Sequence, residues 1–206
     1  MTTELPLRER KKLRTRQALA AAALELFTTK GFDATTLDEI VGAVEVSKRT
    51  FFRTFASKED VALAPERELW TAYLVDLGER PLAGPVLTIY QDALTETLDA
   101  MPADWADRFA ASRRIADATP ALNALSLRFC ADTTDAVVDT LADRLGPDAP
   151  DRILLHLPLD TMLAAWHWAQ REWTARGAGP GLAGHLERAF AAIPASLELA
   201  IPTTSA

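Results

Sequence analysis

The sequence predicts an all-α fold in two parts, a small N-terminal helix-turn-helix domain followed by a larger domain of long helices. Three observations predict it. Apolar residues recur at helical spacing along almost all of the 206 residues. No alternating run of β-branched residues is bounded by turn residues, as a strand would require. Three helix starts also fall between Thr36 and Ser57, which leaves room only for short helices joined by tight turns.

The elements follow in order. Leu19, Ala23, Leu26 and Phe27 form one apolar stripe on a helix over residues 8–30, and Lys30-Gly31 supplies a basic last turn and a stop. Thr36 opens a second helix with Glu39 three residues on, the pattern of a reciprocal capping box. Leu37, Ile40, Val41 and Val44 give that helix its buried side. Ser47 opens a third, with Phe51 and Phe55 on one face; Ser57 opens a fourth, with Asp60 at the matching offset. Pro65 should kink or split the fourth pattern near Ala64. Pro81, Gly84 and Pro85 mark a loop before a helix bearing Val86, Ile89, Tyr90, Ala93, Leu94 and Leu98. A segment from Pro102 carries Trp105 and Phe109. Thr119-Pro120 starts a long helix through Leu122, Leu125, Phe129 and Leu141 to Gly146. Another is expected from near Pro150 to Arg176, interrupted at Pro158. The stretch Gly177 to Gly181 separates it from a last helix with Leu182, Leu186, Phe190 and Ile193.

Bulk properties narrow the function. Net charge is −7, but residues 1–60 hold eleven Lys/Arg against nine Asp/Glu, and all five lysines lie there. The remainder carries a net −9, so one segment is suited to phosphate and the other is not. Cys130 is the single cysteine, which excludes an intrachain disulfide and fits a reducing cytoplasm. The basic N-terminus has no apolar run behind it, and no stretch of eighteen uncharged apolar residues occurs, so neither a leader nor a membrane span is expected.

The stretch TTLDEIVGAVEVSKRTFFRTFASKED, with TRQALAAAALELFTTKGF before it, resembles the DNA-binding region of the TetR family of bacterial repressors over roughly residues 12–62. The residue chemistry agrees. A recognition helix enters the major groove by its N-terminal end, so its first turns must carry groups that bond base edges and phosphates. Here these are Ser47, Lys48, Arg49 and Thr50, then Phe52 and Arg53. Thr36 and Lys58, each at the start of a flanking helix, are the expected phosphate contacts. Phe51 and Phe55 are read as core. Three departures from the family pattern stand out: Glu45 where the turn commonly has glycine, Arg49 where the reading helix commonly has glycine, and Phe52 and Thr54 where tyrosine and histidine are frequent.

The resemblance implies a DNA-binding domain over residues 1–57 and an effector-binding and dimerisation domain over 58–206. It further implies a homodimer joined through helices at about 150–176 and 181–198, a palindromic double-stranded DNA operator, and release of a repressor by a small molecule. Trp70, Tyr73, Tyr90, Trp105, Phe109, Phe129, Met162 and Trp166 are the candidate effector residues, and an aromatic lining with few charges favours a hydrophobic or aromatic ligand. Each has an alternative reading as plain core or dimer interface. Trp166, His167, Trp168 and Trp173 cannot all face one way on a helix.

Two other classes fit the residues less well. An enzyme would need a catalytic signature, and the chain has three histidines, no phosphate-cradling glycine loop and no nucleophile elbow. His156, Asp160 and His167 fall short of a metal-ligand pattern across Pro158, so neither a metal nor another cofactor is expected. A protein-interaction module that had lost DNA binding would have little use for the arm Arg8, Arg10, Lys11, Lys12, Arg14 and Arg16.

Overall fold

The computed structural model describes residues 6–178 and 181–201. Among these the chain is helical and has no strand. The helices are α1 (Leu7–Lys30), α2 (Leu37–Ala43), α3 (Lys48–Thr54), α4 (Lys58–Ala62), α5 (Ala64–Glu79), α6 (Val86–Asp99), α7 (Trp105–Ala118), α8 (Pro120–Leu145), α9 (Ile153–Ala175) and α10 (Leu182–Leu197), with a 3-10 turn at Gly146–Asp148. Two compact units result, one of Met1–Glu68 with Asp107–Ala131, the other of Leu69–Ala106 with Asp132–Ala206.

The helix boundaries follow from local chemistry. Gly31 ends α1 at φ 93°, and its N–H donates to the Phe27 carbonyl. Both bonds of the Thr36–Glu39 capping box are formed. Ser47 and Ser57 each accept the backbone N–H three residues on. The Asp60 carboxylate reaches back to the Ala56 N–H at 2.8 Å, one residue beyond a reciprocal box. Pro65 is the second residue of α5, where its missing N–H costs nothing, so the split falls at Leu63.

Pro158 does not interrupt α9, which is continuous from Ile153 to Ala175. A proline removes one intrahelical donor and kinks a helix without necessarily ending it when packing holds both sides. Here Leu155, Leu159, Met162 and Leu163 bury the same stretch, and the Tyr90 hydroxyl donates to the Leu155 carbonyl at 3.2 Å. Of the Gly177–Gly181 separator, residues 179 and 180 lie outside the described residues. Gly181 is the N-cap of α10.

The first unit has one core. Leu19, Ala23 and Phe27 of α1 meet Ile40 and Val41 of α2, Phe51 of α3, Phe55, and Val61 to Ala64. Ala116 of α7 and Leu122 of α8 close it. A polar network ties the same helices: Ser112 Oγ donates to the Ala62 carbonyl at 2.6 Å, Arg108 pairs with Glu68 at 2.8 Å, and Ser126 Oγ donates to buried Glu66. In the second unit α9 packs against α6 and α10. Arg144 of α8 donates to the carbonyls of Leu77 and Arg80, satisfying the open end of α5.

Candidate nucleic-acid interface

The turn between α2 and α3 sets the direction of α3. The Val46 N–H bonds to the Val41 carbonyl at 3.0 Å and the Glu45 N–H to the Gly42 carbonyl at 3.2 Å. These are the two bonds of a Schellman C-cap, with Val46 packing against the core that holds Val41. The residue that must turn left-handed is Glu45, at φ 54° and exposed. α3 then leaves Ser47 with its N-terminal N–H groups partly open, and Ser47 accepts from the Thr50 N–H at 3.2 Å.

Phe51, fully buried, and Phe55 anchor α3 and the chain just after it in the core. The opposite face is exposed and consists of Lys48, Arg49, Phe52 and Arg53, two adjacent ridges spaced four residues apart. Phe52 is 56% exposed and lies edge-on to Phe51 at 5.5 Å. Thr50 and Thr54 flank the stripe, the Thr54 hydroxyl bonding the Thr50 carbonyl.

The cations around this face differ in their engagement. Lys48 pairs with Asp38 at 2.8 Å and Lys30 pairs with Glu39, both at the surface. The Lys30 ammonium and the Thr36 N–H and hydroxyl hold the Glu39 carboxyl down from 4.5 to about 2. Thr36, exposed at the start of α2, therefore spends its hydroxyl on Glu39. Lys58 bonds the carbonyls of Phe32 (2.9 Å) and Thr35 (3.2 Å) and lies 4.2 Å from the centre of the Phe32 ring, stapling α4 to the α1–α2 connection. Arg16 is similarly occupied, donating to the Thr54 carbonyl and lying over Phe55. By sequence Arg16 is one more cation of the basic arm, and nothing near it in the chain signals its long-range partner. Among the described residues, Arg49 and Arg53 have no carboxylate partner and point their charge at solvent.

Of the eight candidate effector residues, Trp70, Tyr73, Tyr90, Trp105, Met162 and Trp166 belong to the second unit and Phe109 and Phe129 to the first. All but half-buried Phe129 are buried. The structure brings Trp70, Tyr73 and Trp166 into edge-on ring contact, at 5.3 Å and 6.2 Å. The Tyr73 hydroxyl faces the Tyr90 carbonyl at 3.4 Å; burial raises the ionisation of both tyrosines, that of Tyr90 to about 12. Phe129 carries the Arg67 guanidinium over its ring at 4.6 Å. Trp166 and Trp173 face inward, whereas Trp168 lines an open groove between α9 and α10.

A capped helix-turn-helix with an exposed cationic stripe on its second helix defines a DNA-binding protein of the helix-turn-helix class. The family model for bacterial regulatory proteins of the tetR family matches residues 19–64. The HTH-type transcriptional regulator TcmR of Streptomyces glaucescens is 36% identical over 181 residues, 82% of this chain and 77% of that protein. In fold, a candidate TetR-family regulator from Mesorhizobium loti superposes with a TM-score of 0.50 at 19% identity, over 90% of this chain and 97% of the other. A candidate fatty acid metabolism regulator from Clostridium perfringens gives 0.53 at 15% identity, over 90% of this chain and all of the other. The chain belongs to the TetR family, and is a DNA-binding transcriptional regulator.

Proposed function

We propose that this regulator is a homodimeric repressor that reads a palindromic operator through α3 and leaves it when a small hydrophobic or aromatic effector binds. The observation that carries the reading role is the exposed face of α3, where Arg49 and Arg53 remain unneutralised beside a serine-capped N-terminus. In this reading Arg49 pairs with a base, guanine being the best geometric match, and Ser47, Lys48, Thr50 and Arg53 contact phosphate or base edges. Phe52 offers an apolar surface to a thymine methyl. Thr36 lies at the rim of the same face, and Lys58 serves it by fixing the α1–α2 connection.

Dimerisation is supported by the groove between α9 and α10, about 890 Å3 and lined by Leu157, Ala164, Ala165, Trp168, Ala192 and Ile193. Leu157 is 56% exposed there and Leu197 77%, an apolar surface that a second copy would cover. A two-fold axis would then present two reading helices to successive half-sites. The aromatic cluster of Trp70, Tyr73 and Trp166 supports an apolar effector, with no carboxylate or lysine among those three. Chemistry on that ligand is not part of the reading, in keeping with relatives that are transcriptional regulators. No helix among the described residues is long and apolar enough to cross a membrane.

The test is a titration against duplexes from upstream of the protein's own gene and its divergent neighbour, beside random DNA, at several salt concentrations. Specific binding with a footprinted palindrome is expected. Arg49→Ala should cost about 1–3 kcal/mol of discrimination at one base position per half-site. Equal binding of parent and Arg49→Ala to every sequence would refute the base-reading role of Arg49.

A further inference from the structure

Of the eight phenylalanines in the chain, seven are buried or half-buried, whereas Phe52 on α3 is 56% exposed. Its ring stands edge-on to that of fully buried Phe51 at 5.5 Å, so the core braces one side of it while the other meets solvent. A single exposed apolar side chain needs no explanation by itself. The neighbours make this one informative. Lys48 and Arg49 lie one turn before it on the same exposed face, and Arg53 follows it. Among these four side chains, Phe52 is the one that can neither donate nor accept a hydrogen bond.

The major groove offers such a ring little to recognise. Guanine, adenine and cytosine present hydrogen-bonding edges there, and thymine adds a methyl group at C5. An aromatic side chain gains apolar contact from that methyl and no hydrogen bond from the rest. Cytosine methylated at C5 carries the same methyl on the same ring carbon, with the remainder of its edge unchanged. The spacing suits a step of two base pairs. Arg49 and Phe52 are three residues apart, about 4.5 Å along the helix axis, against about 3.4 Å between successive base pairs. When Arg49 pairs with a guanine, the Phe52 ring therefore lies over the neighbouring base pair.

We infer that Phe52 reads the C5 methyl group itself, whichever pyrimidine carries it, so that 5-methylcytosine is a recognised base for this protein. A cytosine at that base pair is bound more tightly once it is methylated, and cytosine methylation of the operator regulates the protein by strengthening its grip. Arg49 selects the guanine, and Phe52 selects the methylated pyrimidine beside it. The inference rests on the DNA-reading role of α3 proposed above and extends its thymine contact to an enzymatically modified base.

The experiment uses fluorescein-labelled synthetic duplexes of the upstream site that the full-length parent footprints, with affinity measured by anisotropy. At each pyrimidine of a half-site in turn, four duplexes carry thymine, uracil, cytosine or 5-methylcytosine, so that a methyl is gained or lost alone. At one position per half-site, thymine should bind more tightly than uracil, and 5-methylcytosine more tightly than cytosine, each by about four-fold, the effect of burying one methyl. Exchange in both half-sites should give about fifteen-fold. Phe52→Ala should erase both differences, and Phe52→Leu, which keeps an apolar side chain, should retain them, the folding of each checked by circular dichroism. Each ratio compares two duplexes on one protein, so a variant that only loosened the fold or the whole interface would leave it at the parent's value. The parent alone tests the methyl dependence, and the variants assign it to Phe52. No methyl effect at any pyrimidine in the parent, a thymine–uracil difference without a cytosine–5-methylcytosine difference, or parental ratios in Phe52→Ala would overturn the inference while leaving α3 as the reader. A parent that footprints no site on the upstream duplexes would overturn the reading on which it rests.

Discussion

Glu45→Gly is expected to stabilise the helix-turn-helix unit. Glu45 occupies the left-handed position of the Schellman turn at φ 54°, with its side chain exposed and making no hydrogen bond or ion pair of its own among the described residues. A residue with a Cβ in that conformation costs about 1–2 kcal/mol, from the crowding of Cβ against the following carbonyl. Glycine removes that crowding but adds freedom to the unfolded chain, which costs back about 0.4–1 kcal/mol. The net gain is about 0.5–1 kcal/mol, or roughly 1–4 °C in Tm for a chain of this size. Both Schellman bonds are made by backbone groups and survive the change. The assay is thermal unfolding followed by far-ultraviolet circular dichroism, with Glu45→Ala as the control, since alanine removes the charge and retains the Cβ. All five tryptophans lie in the second unit, so tryptophan fluorescence recorded alongside separates the two units if they melt apart. A Tm for Glu45→Gly no higher than that of Glu45→Ala would refute the strain account.

Three further outcomes are expected. Ser47→Ala removes the N-cap of α3 and should cost about 1 kcal/mol of stability; an unchanged denaturation midpoint would show that water replaces the cap in full. Glu39 ionises near 2 in the folded protein, below its ordinary value, so its contribution is complete above about pH 4.5 and is lost as pH falls toward 2. Glu39→Gln should flatten the acid limb of Tm against pH, and superimposable limbs would count against the capping box as its source. Glu66 has the opposite sign: burial raises its ionisation against the pull of Arg113 and the Ser126 hydroxyl, so the folded state holds its proton more tightly than the unfolded one. Stability from that group is present at low pH and lost as pH rises through the raised value. The Tm of Glu66→Gln relative to the parent should therefore climb as pH rises above the ordinary carboxylate range, and a constant difference would contradict it.

Much of the helix-turn-helix is legible without coordinates. Thr36 with Glu39, Ser47, Ser57 and Gly31 announce helix ends because a cap is satisfied by a group three or four residues away, and the chain alone supplies both partners. The exposed stripe of α3 follows equally from period, once Phe51 and Phe55 are taken as buried. Pro158 departs from its local signal for the converse reason. Whether a proline ends a helix depends on what packs across it, and Tyr90 reaches Leu155 from 65 residues away.

The state of each cation belongs to this second kind. Lys48, Arg49, Arg53 and Lys58 are all cations in or near α3. Asp38, ten residues back, pairs with Lys48 at the surface, and carbonyls 23 and 26 residues away hold Lys58. Arg53 shares a cleft with Lys11 and Lys12 of α1, beside the point where Arg16 meets Thr54 across 38 residues. Local order is encoded within one turn of helix, since capping and periodicity act over a few residues. Which charges have a partner is set by helix packing, because a charge pairs with whatever the fold brings within about 4 Å, however distant in sequence.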